Sequence, residues 1–190
     1  MQPYLVTKTS KPVVPLTIVR EKGFKAWRTK QCDMVHHWLD ANEVTGKAGQ
    51  VALLPQPKTG ELREAVAVVR NEPDIWSLAH LPKVLPKQVY NPQVAGQEFG
   101  LATWGALALG WQLATYQFTQ CKGDPKPKDG FATLLLPEDL RAKGILDQAD
   151  AVRLVRDLIN RPANDLTPLA LADAANESVR TGKTVRVAVD

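Results

Sequence analysis

The 190 residues are 44% apolar and 23% charged, an ordinary balance for a soluble globular protein with room for one well-cored domain, or one domain and part of another. Twenty-four basic against twenty acidic residues leave a net charge of +4, too modest to argue by itself for an anionic partner. The two cysteines, Cys32 and Cys121, lie far apart behind an opening without a signal-peptide pattern, which predicts free thiols in a reducing, cytoplasmic compartment.

PLTIVR (15–20) predicts an early strand, and the stretch from Arg20 to Gly49 reads as helical material, with Met34, Val35, Trp38 and Leu39 at helical spacing. QVALLPQP and LREAVAVVR are β-leaning runs separated by KTGE, a hairpin signature in which Gly60 takes the turn. Residues 65–69 are apolar at every position, as in a strand covered on both faces by helices. IWSLAHLPKVLPKQVYNP, punctuated by prolines, reads as a loop anchored by Trp76 and Leu78.

Residues 99–121 carry no charge and are long enough to span a bilayer, but Thr103, Gln112, Thr115, Gln117 and three glycines make a buried core helix the better reading. A polar loop, KGDPKPKDG, then leads to a short buried strand in FATLLLP. From Asp147 to Ile159 the pattern is helical, with Ala149, Val152, Val155 and Ile159 as the apolar stripe and Arg153, Arg156 and Asp157 toward the other side. Pro162 ends that helix near Asn160. Thr167 and Pro168 supply an N-cap and a first helical residue for the next helix, which Gly182 closes before a strand-like TVRVAV. The order predicts an α/β fold. A helix, break, helix and lone strand after residue 146 predict that a second α/β domain begins there.

Candidate chemistry is sparse. His36 and His37 diverge by about 100° on a helix. Cys32 and His36 share a face but lack a third ligand, so a packed thiol beside a surface histidine is the better reading than a zinc site. Glu138 and Asp139 precede a helix, where their charge suits the helix dipole, and His80 lies in the proline-rich loop with no partner that sequence can name. Arg20, Lys22, Lys25, Arg28 and Lys30 surround Phe24 and Trp27, a pattern compatible with phosphate contact and base stacking. Lys22, Lys25 and Arg28 are the candidate nucleic-acid contacts; a solvated helix face with its aromatics packed inward is the competing and favoured reading.

LVRDLINRPANDLTPLALADAA (154–175) resembles the stretch that opens the catalytic domain of the leucyl (cytosol) aminopeptidases, whose usual form is close to LINTPAND. Asn160, Pro162, Ala163, Asn164 and Asp165 match that form, and Arg161 departs from it, standing where a small threonine is typical. GWQLATYQF, GKAGQVALLPQP and DIWSLAHLPKVLP resemble upstream segments of the same family in the expected order, so the resemblance runs from about Trp38 onward. It implies a macro-domain-like N-terminal α/β domain (residues 1–146), then a linker helix and the beginning of a peptidase domain (147–190). The family's whole enzyme is implied to be a cytoplasmic hexamer that uses two Mn²⁺ or Zn²⁺ ions to remove the first residue of peptides, with no membrane association. The aspartate-threonine-glycine-glycine and aspartate-alanine-glutamate-glycine-arginine motifs that carry the family's metal ligands are absent from these 190 residues, so no catalytic or metal-binding residue is assigned. The resemblance therefore implies that the chain binds no cofactor itself, lacks peptidase activity alone and has a structural or assembly role. The alternative is a free-standing nucleic-acid- or nucleotide-binding module with a macro-like fold.

Overall fold

The computed structural model describes residues 3–119 and 130–180. In chain order the elements are β1 (Leu5–Val6), β2 (Val13–Arg20), α1 (Glu21–Arg28), α2 (Asp33–Ala41), β3 (Val51–Pro55), β4 (Leu62–Val69), α3 (Leu81–Val84), β5 (Val89–Ala95), α4 (Leu101–Ala114), β6 (Thr133–Leu135), α5 (Ala142–Ile159) and α6 (Pro168–Arg180). The strands form one sheet in the order β1-β6-β5-β2-β4-β3. Every pairing is parallel except the β3–β4 hairpin. This is the α/β fold expected, a mixed sheet flanked by helices.

Because side chains alternate across a strand, the apolar run of β4 supplies both faces. Ala65, Ala67 and Val69 join a core with Leu16, Ile18, Tyr90, Leu107 and Trp111, while Val66 and Val68 join a second core with Val19, Phe24, Leu39 and Leu54. The first core lies under α4 and the start of α5, the second under α1 and α2. The β3–β4 turn places Gly60 at φ 73°, a left-handed conformation that glycine adopts without strain.

The structure revises several sequence expectations. The helical stretch after Arg20 is two helices: the Thr29 hydroxyl donates to the Lys25 carbonyl at 2.8 Å, satisfying an end carbonyl of α1 so that the chain can turn before α2. The proline-rich segment read as loop holds α3 and runs into β5, a strand pairing with β2 over its whole length. Pro92 misled that reading, since proline removes a ladder donor. β6 pairs with β5 only at Val89 and Tyr90, so Pro92 lies beyond that ladder, where one side of β5 is open. β1, only two residues long, has no readable pattern of its own. It is fixed by β6 and by the Gln112 side chain, whose Oε1 accepts the Tyr4 N–H at 2.9 Å.

The uncharged stretch 99–121 yields a 14-residue helix, α4, with Trp104, Leu107, Ala108, Trp111 and Leu113 buried. Among the described residues no helix is long and apolar enough to cross a membrane. Gly110 sits so close to the 70–80 loop that a Cβ there would lie 1.6 Å from the Ile75 carbonyl oxygen. The helix expected from Asp147 starts at Ala142, so the 146/147 division falls inside α5. The KGDPKPKDG loop up to Asp129, Cys121, Gly182 and the TVRVAV run lie outside the described residues.

Candidate functional site

Three places invite a ligand or a partner: the carboxyl end of the sheet, the basic helix α1, and the joint after α5. In α/β sheets ligands bind at the carboxyl ends of strands where the strand order reverses. Here that point is the end of β2, flanked by β4 and β5. The chain's own groups meet there. Arg20 donates to the Gln97 carbonyl, and its guanidinium lies 4.3 Å from the centroid of the Phe99 ring. Asn71 Oδ1 accepts the Lys22 N–H at 3.0 Å, and Glu21 Oε1 accepts the Ala48 N–H at 2.9 Å. The Arg20 guanidinium, the Asn71 amide and the Glu21 carboxylate are thus engaged within the protein.

Beside it, a cleft of about 270 Å³ opens between Gly49, Val69, Trp76 and His80. Burial pushes the His80 imidazole below its ordinary pKa, partly countered by a backbone hydrogen bond to Gly49. Its Nε2 is buried without a partner among the described residues. On the rim, the Ser77 hydroxyl, with the Arg70 guanidinium and the Trp76 N–H, holds the Asp74 carboxyl below its usual range. The cleft gathers the exposed Trp76 indole, the Arg70 guanidinium, the Ser77 hydroxyl and the His80 imidazole.

On α1, Lys22 and Lys25 are exposed. Arg28, the third candidate contact, donates to both Asp40 oxygens at 2.8 Å. Phe24 is buried in the second core with Trp27 packed against it, ring centroids 5.6 Å apart. Both aromatics of α1 thus pack toward the second core.

Among the described residues, no three His, Cys, Asp or Glu side chains cluster so as to hold a metal ion. Cys32 is exposed, and His36 Nε2 lies 2.7 Å from the Arg28 carbonyl oxygen. Two catalytic metals do not fit this donor set.

The joint has the most unusual geometry. α5 stops at Ile159, and the N–H groups of Asp165 and Leu166 both donate to the Pro162 carbonyl, at 2.9 and 3.0 Å. Thr167 Oγ1 accepts the Ala170 N–H at 3.2 Å, the expected cap. Asn160, Pro162, Ala163, Asn164 and Asp165 are all exposed, and Arg161 is half-buried. Asn160 donates to the Tyr116 hydroxyl at 3.1 Å, which donates to Asp157 at 2.9 Å. Arg153 donates to the other Asp157 oxygen at 2.9 Å, and Arg156 donates to the Leu113 carbonyl at 3.2 Å.

The expected orientation of α5 is thereby reversed along its second half. Ala149 is buried, but Val155 and Ile159 are 42% and 74% exposed, and it is the charged side that faces the end of α4. Periodicity locates an apolar stripe without saying what it packs against. The Arg153/Asp157 spacing of four was the signal available for the polar contact, and nothing in sequence pointed to Tyr116.

A family model described as the M17 aminopeptidase N-terminal domain matches residues 14–137. The chain belongs to the M17 aminopeptidase family. A probable cytosol aminopeptidase of Roseiflexus castenholzii is 32% identical over 131 residues, covering 64% of this chain and 25% of the relative. The solved cytosol aminopeptidase of Coxiella burnetii superposes with a TM-score of 0.78 at 26% identity, over 94% of this chain and 38% of that one. The bottromycin maturation enzyme BotP, solved in complex with Mn, shares the fold with a TM-score of 0.61 at 21% identity, over 89% of this chain and 36% of that chain. The M17 segment described here thus spans a quarter to two fifths of the length of these proteins.

Proposed function

We infer that this chain is the N-terminal portion of a dinuclear-metal leucyl aminopeptidase, and that its part in that enzyme is structural rather than catalytic. The observation that carries the reading is the M17 N-terminal-domain match over 14–137. Residues 1–146 would then be the N-terminal domain and 147–190 the linker helix and the beginning of the peptidase domain, with the exposed Asn160–Asp165 motif at their junction.

In this reading the whole enzyme is a cytoplasmic hexamer that uses Mn²⁺ or Zn²⁺ to hydrolyse the first peptide bond of peptides. Two such ions polarise the scissile carbonyl and activate a water when bound. Their ligands belong to segments beyond these residues, so no catalytic step is assigned to this chain. Its contribution is to pack the assembly and restrict access to the active site.

The purified chain should release no product from a leucine anilide when Mn²⁺ or Zn²⁺ is added; metal-dependent turnover by these 190 residues would overturn the structural role. An open reading frame continuing past Asp190 into the aspartate-threonine-glycine-glycine and aspartate-alanine-glutamate-glycine-arginine motifs is the expected genetic result. A frame without them would overturn the assignment to a peptidase.

A further inference from the structure

The amino end of the sheet, opposite the crevice at Arg20, is only partly covered. Parallel sheets are as a rule covered on both faces. Along β2, Val14, Leu16 and Ile18 enter the first core, so Val13, Pro15, Thr17 and Val19 point to the side of α1 and α2. Val19 is buried there in the second core, but Val13 is 38% exposed and Pro15 is exposed. The two helices therefore cover the carboxyl half of that face and leave its amino half open. Val89, level with Val13 on β5, is buried yet belongs to neither core.

Over this end lies a cleft of about 930 Å³, within the range of sites that hold small organic ligands. Val6, Val13 and Val89 give it apolar walls, together with Tyr4 and Phe131, whose rings meet edge to face with centroids 5.2 Å apart. Its charged lining is Lys11, Lys87 and Glu61, two ammonium groups against one carboxylate. Among the described residues neither lysine has an ion-pair partner. The Lys87 stem lies against Gly130, where a Cβ would come within 3.1 Å of its Cδ and where φ is 73°, so glycine leaves room for that stem at the rim. In the smaller cleft at the other end of the sheet the corresponding cation, Arg70, is already paired with Asp74.

Apolar walls beside a net positive rim select among ligands. An inorganic anion would leave the walls wet, and a neutral hydrocarbon would leave the lysines unused. A molecule with an apolar body and one anionic end gains from both, by apolar burial and by charge-assisted hydrogen bonds. We propose that this cleft is a binding site for a small amphiphilic carboxylate, its chain or ring against Val13, Tyr4 and Phe131 and its carboxylate paired with Lys11 and Lys87. The site belongs to the sheet itself and stands or falls independently of the peptidase assignment.

The test is calorimetric titration of the 190-residue chain with octanoate, kept below its micelle range, with acetate and 1-octanol as the two halves of the same molecule. Octanoate is expected to bind, acetate at least about 100-fold more weakly for want of six methylenes, and 1-octanol about tenfold more weakly for want of the charge. Lys11→Glu/Lys87→Glu is expected to weaken octanoate by tenfold or more. Lys22→Glu/Lys25→Glu, the same change in net charge made on α1, is expected to bind as wild type does. All four lysines are exposed, so each variant should keep the wild-type circular dichroism spectrum.

No heat of binding from octanoate would overturn the site. So would 1-octanol binding as tightly as octanoate, since the lysines would then contribute nothing; both outcomes are read on wild type and need no variant to fold. Equal weakening by the two double variants would show attraction to the overall charge rather than to this cleft, and would overturn it as well.

Discussion

In β4, Ala65, Ala67 and Val69 enter one core while Val66 and Val68 enter the other; in the second half of α5, Val155 and Ile159 enter neither. Both segments are rich in aliphatic residues. The strand lies in the middle of a layered fold that covers it on both sides. The helix runs about 27 Å, and only its first half, through Ile145 and Ala149, buries apolar side chains in this domain. Apolar sequence therefore has different consequences in the two places: in β4 it holds this chain together, and at the end of α5 it is available to something else.

That contrast can be broken by mutation. Ile18→Ala, in the fully buried part of β2, should destabilise the chain by about 2–5 kcal/mol in a urea titration, because it leaves a cavity in the first core beneath α4. Gly110→Ala places a methyl 1.6 Å from the Ile75 oxygen, and should cost about 1–3 kcal/mol or more as the 70–80 loop is pushed off α4. Asp157→Asn keeps the shape but weakens the contacts to Arg153 and Tyr116, with an expected loss of about 1 kcal/mol. Ile159→Ser, removing one of the largest exposed aliphatic side chains, should stay within about 0.5 kcal/mol of wild type. If Ile159→Ser costs as much as Ile18→Ala, the two regions do not differ and α5 is packed as its periodicity first suggested.

A pH titration sharpens the same comparison from inside the domain. Burial depresses the His80 pKa, so on acidification the unfolded chain takes up the proton first. The contribution of neutral His80 is complete above the ordinary histidine value of about 6.5 and is lost as pH falls below it. His80→Gln should flatten that part of the stability curve; an unchanged slope would show that the imidazole is not buried in solution.

Where burial followed from local pattern, the sequence was readable. The continuous apolar run of residues 65–69, the KTGE turn and the Thr167–Pro168 cap each carry their physical cause within a few residues. β5 was not readable because Pro92 looks like a strand breaker until the short reach of β6 is known. β1 depends on β6 and Gln112, more than 100 residues away. The junction motif was identifiable in sequence from Asn160, Pro162, Ala163, Asn164 and Asp165. The direction in which α5 faces was not, since it depends on which of its two sides meets Tyr116.

The contact between α4 and α5 also has an optical consequence. The five tryptophans, at positions 27, 38, 76, 104 and 111, all precede it, and Trp104 and Trp111 lie inside the first core. Tryptophan emission will therefore follow melting of the sheet and its cores, the start of α5 included, and reports least on a detachment confined to the second half of α5. Tyr116 can report that event instead. Burial, with Asp157 close by, raises its phenol pKa, so while the helices are joined the ring resists ionisation as the solution is made alkaline. A phenolate absorbance that appears at lower pH in Asp157→Asn would show that the Asp157 carboxylate helps to keep the phenol protonated.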